Sequence, residues 1–571
     1  MNYFKTIRFH FFALFFIVIL VGFAYWSLPN TFFQQDEWQT QAVDIYFISK
    51  GITGVIESFL PTGPLSHFTP LARVFSWFEH VFYYTNFASY AWQSIILHIS
   101  NSLLLYYFVL SWLRKRKIAC ITALIFAVNS IPYQAVTWVT NENSYEIPTW
   151  LIILSLISFH RFLLRKEHKW KYLVFSLLML FISLLFHEIG IFLFIFYPMI
   201  FFLQEKSQRR KLFSIFLSSL MLFIFIFFLM RAPFFFGFKS PLPEAMDISH
   251  PSIAVFPYRL LSISLKSFAG NFFPEKILIG LSDQAVRLAY PKFITSDNVP
   301  NPFITQSVVF DLVSYVISVC IISLILLLAP QMKEKKLSEA LVWSLLFIPA
   351  SLLPYAFVLG KAGYASILEP KFFYVSSIGA SIIIAIASYS LIRTFSKKRI
   401  VKACLYILLS LYIISHIYAV RSNISNLVKI SVQRKLFLTE IQSSYPRLPQ
   451  KVIFFTQSDT AYYGMPDSEK GLPVQIGFGK ILMIWYQKTE QFPGCLYEGQ
   501  FLIRMLAQGY KDCGGRGFGY FRDYTKLVEA VKQNGLSPES VIAYSWSGET
   551  ERFTSITDNI RHTLKDMLGL Q

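Results

Sequence analysis

The sequence predicts a polytopic all-α membrane protein with a C-terminal α/β domain, on three observations. First, 54% of its 571 residues are hydrophobic, 59 of them Phe, and mean hydropathy is +0.48; soluble domains carry less apolar content. Second, apolar runs recur that reach the roughly 20 residues a helix needs to cross hydrocarbon. They lack the alternation of a barrel strand, and only helices or closed barrels satisfy their backbone groups in lipid. Third, the character of the chain changes near residue 420, after which it is polar.

The first span is read at 7–28. Its apolar core is longer than that of a signal peptide, and the SLPN at its end is no small-residue cleavage site, so it is expected to be a retained anchor. Further spans are expected at 89–112, 118–136, 147–164, 171–187, 189–203, 212–230, 306–329, 338–357, 372–393 and 400–418. That makes about eleven crossings, the two around Glu188 being short for the hydrocarbon thickness.

Charge sets their direction. Basic residues gather in short connections after even-numbered spans: Arg114 to Lys117, RKEHKWK at 165–171, EKSQRRK at 205–211, KEKK at 333–336, and Lys397 to Arg399. The first odd-side loop instead holds Asp36, Glu37, Asp44, Glu57 and Glu79 against Lys50 and Arg73. By the positive-inside rule the N-terminus is cytoplasmic and Asp36 faces outward, as does the C-terminal domain of an integral plasma-membrane protein. The net charge of +19 is thus explained by topology, and a nucleic-acid partner is not expected.

Residues 1–420 are read as the membrane domain, with long outward loops at 29–88 and 231–305, and 421–571 as the outer domain. In the first loop, FISKGITGVIESFL and PLARVFSWFEHVFYY have the spacing of helices lying in the interface. A half-buried helix is expected near 253–269. In the tail, KVIFF, ILMIWY and VIAYSW are read as strands, and FLIRMLAQ and ITDNIRHTLKDML as helices. Cys120, Cys320 and Cys404 fall in or beside spans, where a small buried hydrophobe is the default. Cys495 and Cys513 lie together in the outer domain, where a bridge and two separate thiols are both open readings.

Several residues carry candidate chemistry. Asp36 and Glu37 stand at the outer end of the first span, where a carboxylate can take a proton from a hydroxyl, orient it, or hold a metal. Adjacent helical positions diverge by about 100°, so one is expected to act and the other to support it. His187–Glu188 interrupts an apolar stretch on the same side, and ionisable groups at such depth are costly enough to suggest function. His67, in GPLSHFTPL, is a candidate for phosphate binding or for ordering the loop. Arg231, Arg259, Lys266, Lys361 and Lys371 are the outward cations expected to neutralise a phosphate, and Tyr364 and Glu369 share the loop of the last two. His98 and Asn101, three apart in the second span, are expected to bond a neighbouring helix. No Walker A or G-x-G-x-x-G sequence occurs, and no HExxH follows His187.

The arrangement resembles the GT-C glycosyltransferase superfamily, in particular its protein O-mannosyltransferase-like membrane enzymes. The resemblance rests on the acid pair after the first span, on PLSHFTPL at 64–71, on LHISNSLLLYY at 97–107, similar to an H-x-x-N-x-L-L helix, and on LEPKFFYVSSIG at 368–379, similar to an E-R-x-x-Y-x-P-S motif with Lys371 in place of Arg. It covers roughly 1–420. It implies a polyprenyl-phosphate-linked sugar as donor, a glycan, lipid or protein as acceptor on the outer face, Asp36 as base or orienting acid, and His187–Glu188 as positioning groups. Some related enzymes need a divalent metal and others do not; Glu37 and Glu188 are the ligands expected if one is present.

Two other classes compete: a transporter or flippase of lipid-linked glycans, and a non-catalytic envelope assembly protein. The long first loop and the lack of inverted repeats weigh against transport.

Overall fold

A computed structural model describes residues 2–60, 68–141, 143–164, 169–202, 209–238, 255–289, 292, 294, 308–332, 334–356, 369–395, 397–458, 478–490, 492–497, 508–547, 549–550 and 552–569. The chain is a polytopic, mostly α-helical membrane protein. Among the described residues, eight helices are long and apolar enough to cross a membrane: Arg8–Asn30, Phe87–Leu113, Glu146–Leu164, Phe213–Pro233, Phe310–Leu328, Lys335–Ala356, Ser376–Thr394 and Arg399–Ser444. The other three expected spans fall on shorter helices, Arg116–Val128, Trp170–Phe186 and Glu188–Ile200.

Small polar residues let these helices approach, as apolar burial alone cannot discriminate helix from lipid. Ser155 donates to the Ser176 carbonyl at 2.7 Å, and Ser176 returns the bond to the Ser155 carbonyl at 2.9 Å. A Cβ on Gly379 would stand 2.8 Å from the Ser344 carbonyl, so glycine there sets the spacing of two helices. Cys320 and Cys404 are exposed on the outer surface of their helices, which corrects the expectation of burial; Cys120 is half-buried. A sulfhydryl is apolar enough to face lipid.

The two amphipathic stretches of the first loop form helices Ile52–Ser58 and Pro70–Tyr83, and the expected half-buried helix is Phe256–Phe272. The last long helix runs unbroken from Arg399 to Ser444. The expected boundary at 420 therefore falls inside a helix, because nothing at 419–425 stops it: no Pro or Gly occurs there.

Beyond it lies a five-stranded sheet of β1 (Lys451–Ser458), β2 (Gly509–Cys513), β3 (Arg516–Phe521), β4 (Val541–Ser547) and β5 (Arg552–Ser555), in order β2-β3-β1-β4-β5. The central β1 pairs in parallel with β3 and β4, with Ile453 opposite both Gly519 and Val541. β2 and β3 are an antiparallel hairpin turned by Gly514 and Gly515 at φ 58° and 80°, a backbone that L side chains resist. KVIFF and VIAYSW are strands and Thr557–Leu568 a helix, as expected. ILMIWY is not a strand. It lies in helix Phe478–Glu490, whose residues from Phe478 to Ile484 are all buried; FLIRMLAQ lies mostly outside the described residues. Cys495 and Cys513 form a disulfide.

Candidate functional site

The helix Gln35–Ser49 begins with the acid pair. Asp36 is in its first turn; its side chain lies outside the described residues. Glu37 is fully buried, and its carboxylate reaches back to accept the Gln34 amide, as the third residue of a capping box does. It also accepts the Thr140 amide at 3.4 Å. Burial pushes the Glu37 carboxyl up to about 8, against the lowering effect of those amides and of Arg434. Gln34 ties down the same turn through the Thr137 carbonyl at 3.3 Å. Glu37 thus fastens the acid-bearing helix to the 137–141 turn.

That turn presents Trp138, whose ring centre lies 4.0 Å from the Lys371 ammonium. Lys371 is buried and pairs with Glu369 at 2.6 Å. Next to it Phe372 packs on Tyr355, with ring centres 4.6 Å apart, and on Tyr145 at 6.1 Å. Tyr145 also faces the His187 imidazole at 5.5 Å. His187 caps the following turn, accepting the Ile189 amide on Nδ1 at 3.1 Å. Glu188 then accepts the Phe68 amide at 2.7 Å and pairs with Arg231 at 3.0 Å. The Arg231 guanidinium lies 5.8 Å from the Phe68 ring and 5.3 Å from that of Phe227.

A chain of contacts thus runs from Glu37 through the 137–141 turn and its Trp138, then Lys371, Phe372, Tyr145 and His187, to Glu188 and Arg231, at one end of the helix bundle. Phe68 is the immediate neighbour of His67, which lies outside the described residues, as do Lys361 and Tyr364. Arg259 is buried on a separate element, helix Phe256–Phe272, two turns before Lys266, which pairs with Asp311 at 2.6 Å.

Beneath the cluster, His98 and Asn101 bond neighbouring elements. His98 bonds the Tyr374 hydroxyl at 2.7 Å and the Ala127 carbonyl at 3.0 Å; Asn101 donates to the Glu146 carbonyl at 3.0 Å. Ser94 donates to the buried Glu146 carboxylate at 2.5 Å. Tyr145 and Tyr355 were not singled out by sequence reasoning, although NENSYE, where a polar segment enters an apolar run, was a usable signal for the first; Trp138 and Glu146 were noted only as content of the loop 132–146.

A metal set does not emerge from Glu37 and Glu188. Glu37 spends its oxygens on backbone amides and Glu188 is neutralised by Arg231. Among the described residues no three His, Cys, Asp or Glu gather as ligands.

A second buried polar group joins the first loop to the rest. Ser76 donates to Asp44 at 2.6 Å, and Asn143 donates to Glu79 at 3.0 Å. Burial holds the Asp44 carboxyl well above the usual range and pulls the His80 imidazole down to about 4. The helix Phe478–Glu490 docks on this loop: the Tyr84 hydroxyl donates to the Ile484 carbonyl at 2.6 Å, and Lys480 bonds Gln39.

No family model and no curated protein matches the sequence. Among solved structures, similar chains include the oligosaccharyltransferase of Archaeoglobus fulgidus tethered with an acceptor peptide containing the NVT sequon. There the TM-score is 0.43 at 12% identity, over 98% of this chain and 75% of that one. ArnT from Cupriavidus metallidurans bound to undecaprenyl phosphate gives 0.40 at 11% identity, and its apo state 0.39 at 11%, each over 94% of this chain and 93% of that one. A likeness with a TM-score below 0.5 fixes neither the fold family nor the activity.

Proposed function

We propose that the protein is a membrane glycosyltransferase that moves a sugar from a polyprenyl-phosphate donor to an acceptor hydroxyl at the outer membrane face. The observation that carries this reading is that two cation–carboxylate pairs, Lys371–Glu369 and Arg231–Glu188, flank Tyr145, whose ring meets Phe372 beside the first and His187 beside the second, while Lys371 also touches Trp138 of the turn that fastens the helix of Asp36. The motif resemblance over 1–420 supports it.

The chemistry needs three things: a base, a cation for departing phosphate, and an apolar surround for the lipid tail. Asp36 takes the proton of the acceptor hydroxyl as its oxygen bonds the anomeric carbon. The bond from that carbon to the phosphate oxygen breaks, and the electron pair leaves with the phosphate. Lys371 and Arg231 neutralise that charge, exchanging part of their hold on Glu369 and Glu188. Glu37 does not act on substrate; it fixes the helix that aims Asp36. His187 and Tyr145 hold the Glu188 turn, and Trp138 holds the Lys371 ammonium against its ring.

The test is Asp36→Asn, with sugar release from polyprenyl-phosphate donors measured in membranes. A loss of about 10²-fold or more is expected for removal of a general base. Full turnover by the variant rejects the assignment. Movement of a lipid-linked glycan across the bilayer without bond cleavage rejects it in favour of transport.

A further inference from the structure

A second site lies at the opposite end of the bundle. Tyr145 marks the cluster described above, and His160 lies fifteen residues further along the same helical run, about 22 Å away at 1.5 Å per residue. There a cavity of about 530 Å³ opens between the helices Phe87–Leu113, Glu146–Leu164, Leu193–Phe202, Lys335–Ala356 and Ser376–Thr394. That volume is in the range of small-ligand sites. Its inner wall is aromatic, with Trp112, Phe159, Phe196 and Trp343. Its mouth is basic, with Lys335 and Lys336, and Arg114 stands within electrostatic reach of His160 and Lys336.

Three features fix the kind of occupant. Among the described residues, the acids nearby do not cancel the charge. Glu339 touches Lys335 only at 3.8 Å, with both side chains more than half exposed, and Glu334 is taken by Lys115 and Arg393. His160 lines the cavity, and its Nε2 is buried with no hydrogen-bond partner among the described residues. Finally, the rim residues Leu164 and Val342 are exposed apolar side chains on helices long enough to span a bilayer, so the cavity opens sideways toward lipid.

We infer that this cavity is a binding site for an anionic glycerophospholipid, its acyl chain between Trp112 and Trp343 and its phosphate at Lys335, Lys336 and His160. Basic pockets between membrane helices hold anionic head groups in this way. The site is independent of the transfer chemistry at the other end.

The test uses the full-length protein in vesicles, with phospholipids brominated on the acyl chain as quenchers of tryptophan fluorescence. The signal from Trp112 and Trp343 is isolated by subtracting a Trp112→Phe/Trp343→Phe protein. Brominated phosphatidylglycerol is expected to quench that signal at several-fold lower mole fraction than brominated phosphatidylcholine. Lys335→Gln/Lys336→Gln, at two exposed positions, is expected to erase the preference by about fivefold for each lysine. Equal quenching by the two lipids, or a preference that survives the double substitution, overturns the proposal. Relief of quenching by inorganic phosphate alone would make the site one for free phosphate and overturn it as well.

Discussion

The guanidinium of Arg231 donates to the same Glu188 oxygen that accepts the Phe68 amide. One carboxylate thereby joins the end of one apolar helix, the turn between two others and the loop that leads into helix Pro70–Tyr83. Side-chain exposures of 15% and 18% place the pair between surface and core. Glu188→Gln leaves a half-buried cation and is expected to cost about 1–3 kcal/mol. Arg231→Ala should cost a similar amount, and the double variant less than the sum, because neither charge is then stranded. Thermal unfolding in detergent across the four proteins checks this; strict additivity would mean that the pair is not coupled.

Glu37 ties stability to pH. Its folded-state pKa of about 8 is above the ordinary value of 4.5, so the folded protein keeps a proton that the unfolded chain releases. The associated stability is fully present below 4.5, declines above it, and is lost once pH has risen through about 8. The change is on the order of a few kcal/mol. Glu37→Gln keeps an acceptor for the Gln34 amide and has no proton to lose. It is expected to flatten unfolding temperature against pH between 5 and 8.5, and an unchanged slope would place the titration elsewhere.

Lys371 separates charge from packing. It touches Glu369 and the Trp138 ring at once. Lys371→Arg retains the charge and the ring contact, whereas Lys371→Met retains only bulk. On the proposed chemistry, Met should lower turnover of a polyprenyl-phosphate-linked sugar by about 10²-fold or more, with Arg recovering most of it. Equal turnover by Met and the native enzyme would remove Lys371 from the phosphate site.

The membrane helices were legible because a long apolar run has one stable form in lipid. Helical spacing split the acid pair into one acting and one supporting residue, but did not say that Glu37 is the one held by backbone amides. Gln34-x-x-Glu37 is a capping pattern with a weak N-cap residue, and only the fold brings the Thr140 amide to Glu37. ILMIWY was misread because a short apolar run does not reveal its period when every face is covered. Phe478 and Tyr486, eight apart, are both fully enclosed. The approach of Lys371 to Trp138 spans more than two hundred residues and left no local mark in the sequence.

The Cys495–Cys513 bridge closes a separation of 18 residues and ties the short helix Gly494–Tyr497 to the end of β2. Loop-closure entropy for that length is about 3 kcal/mol. Cys495→Ser/Cys513→Ser is expected to make the sheet region unfold and become protease-sensitive at lower temperature, with the helix bundle unchanged. Identical cleavage rates would show that burial alone maintains the region.

Tyr84 tests whether that region matters to the site. Its backbone is left-handed at φ 51°, ending helix Pro70–Tyr83. Its hydroxyl donates to the Ile484 carbonyl at 2.6 Å and accepts the Lys488 amide at 3.2 Å, and the Lys488 ammonium lies 4.1 Å from its ring. Tyr84→Phe removes only the hydroxyl and takes one hydrogen-bond partner from each of two backbone groups of that helix, at about 0.5–1.5 kcal/mol. The first loop carries Asp36, and Lys480 bonds Gln39 one helical turn beyond it. Loosening this joint should therefore raise KM for the acceptor as well as expose the Phe478–Glu490 helix to protease. Protease exposure with unchanged kinetics would separate the outer sheet from acceptor binding and leave it a cover for the loop.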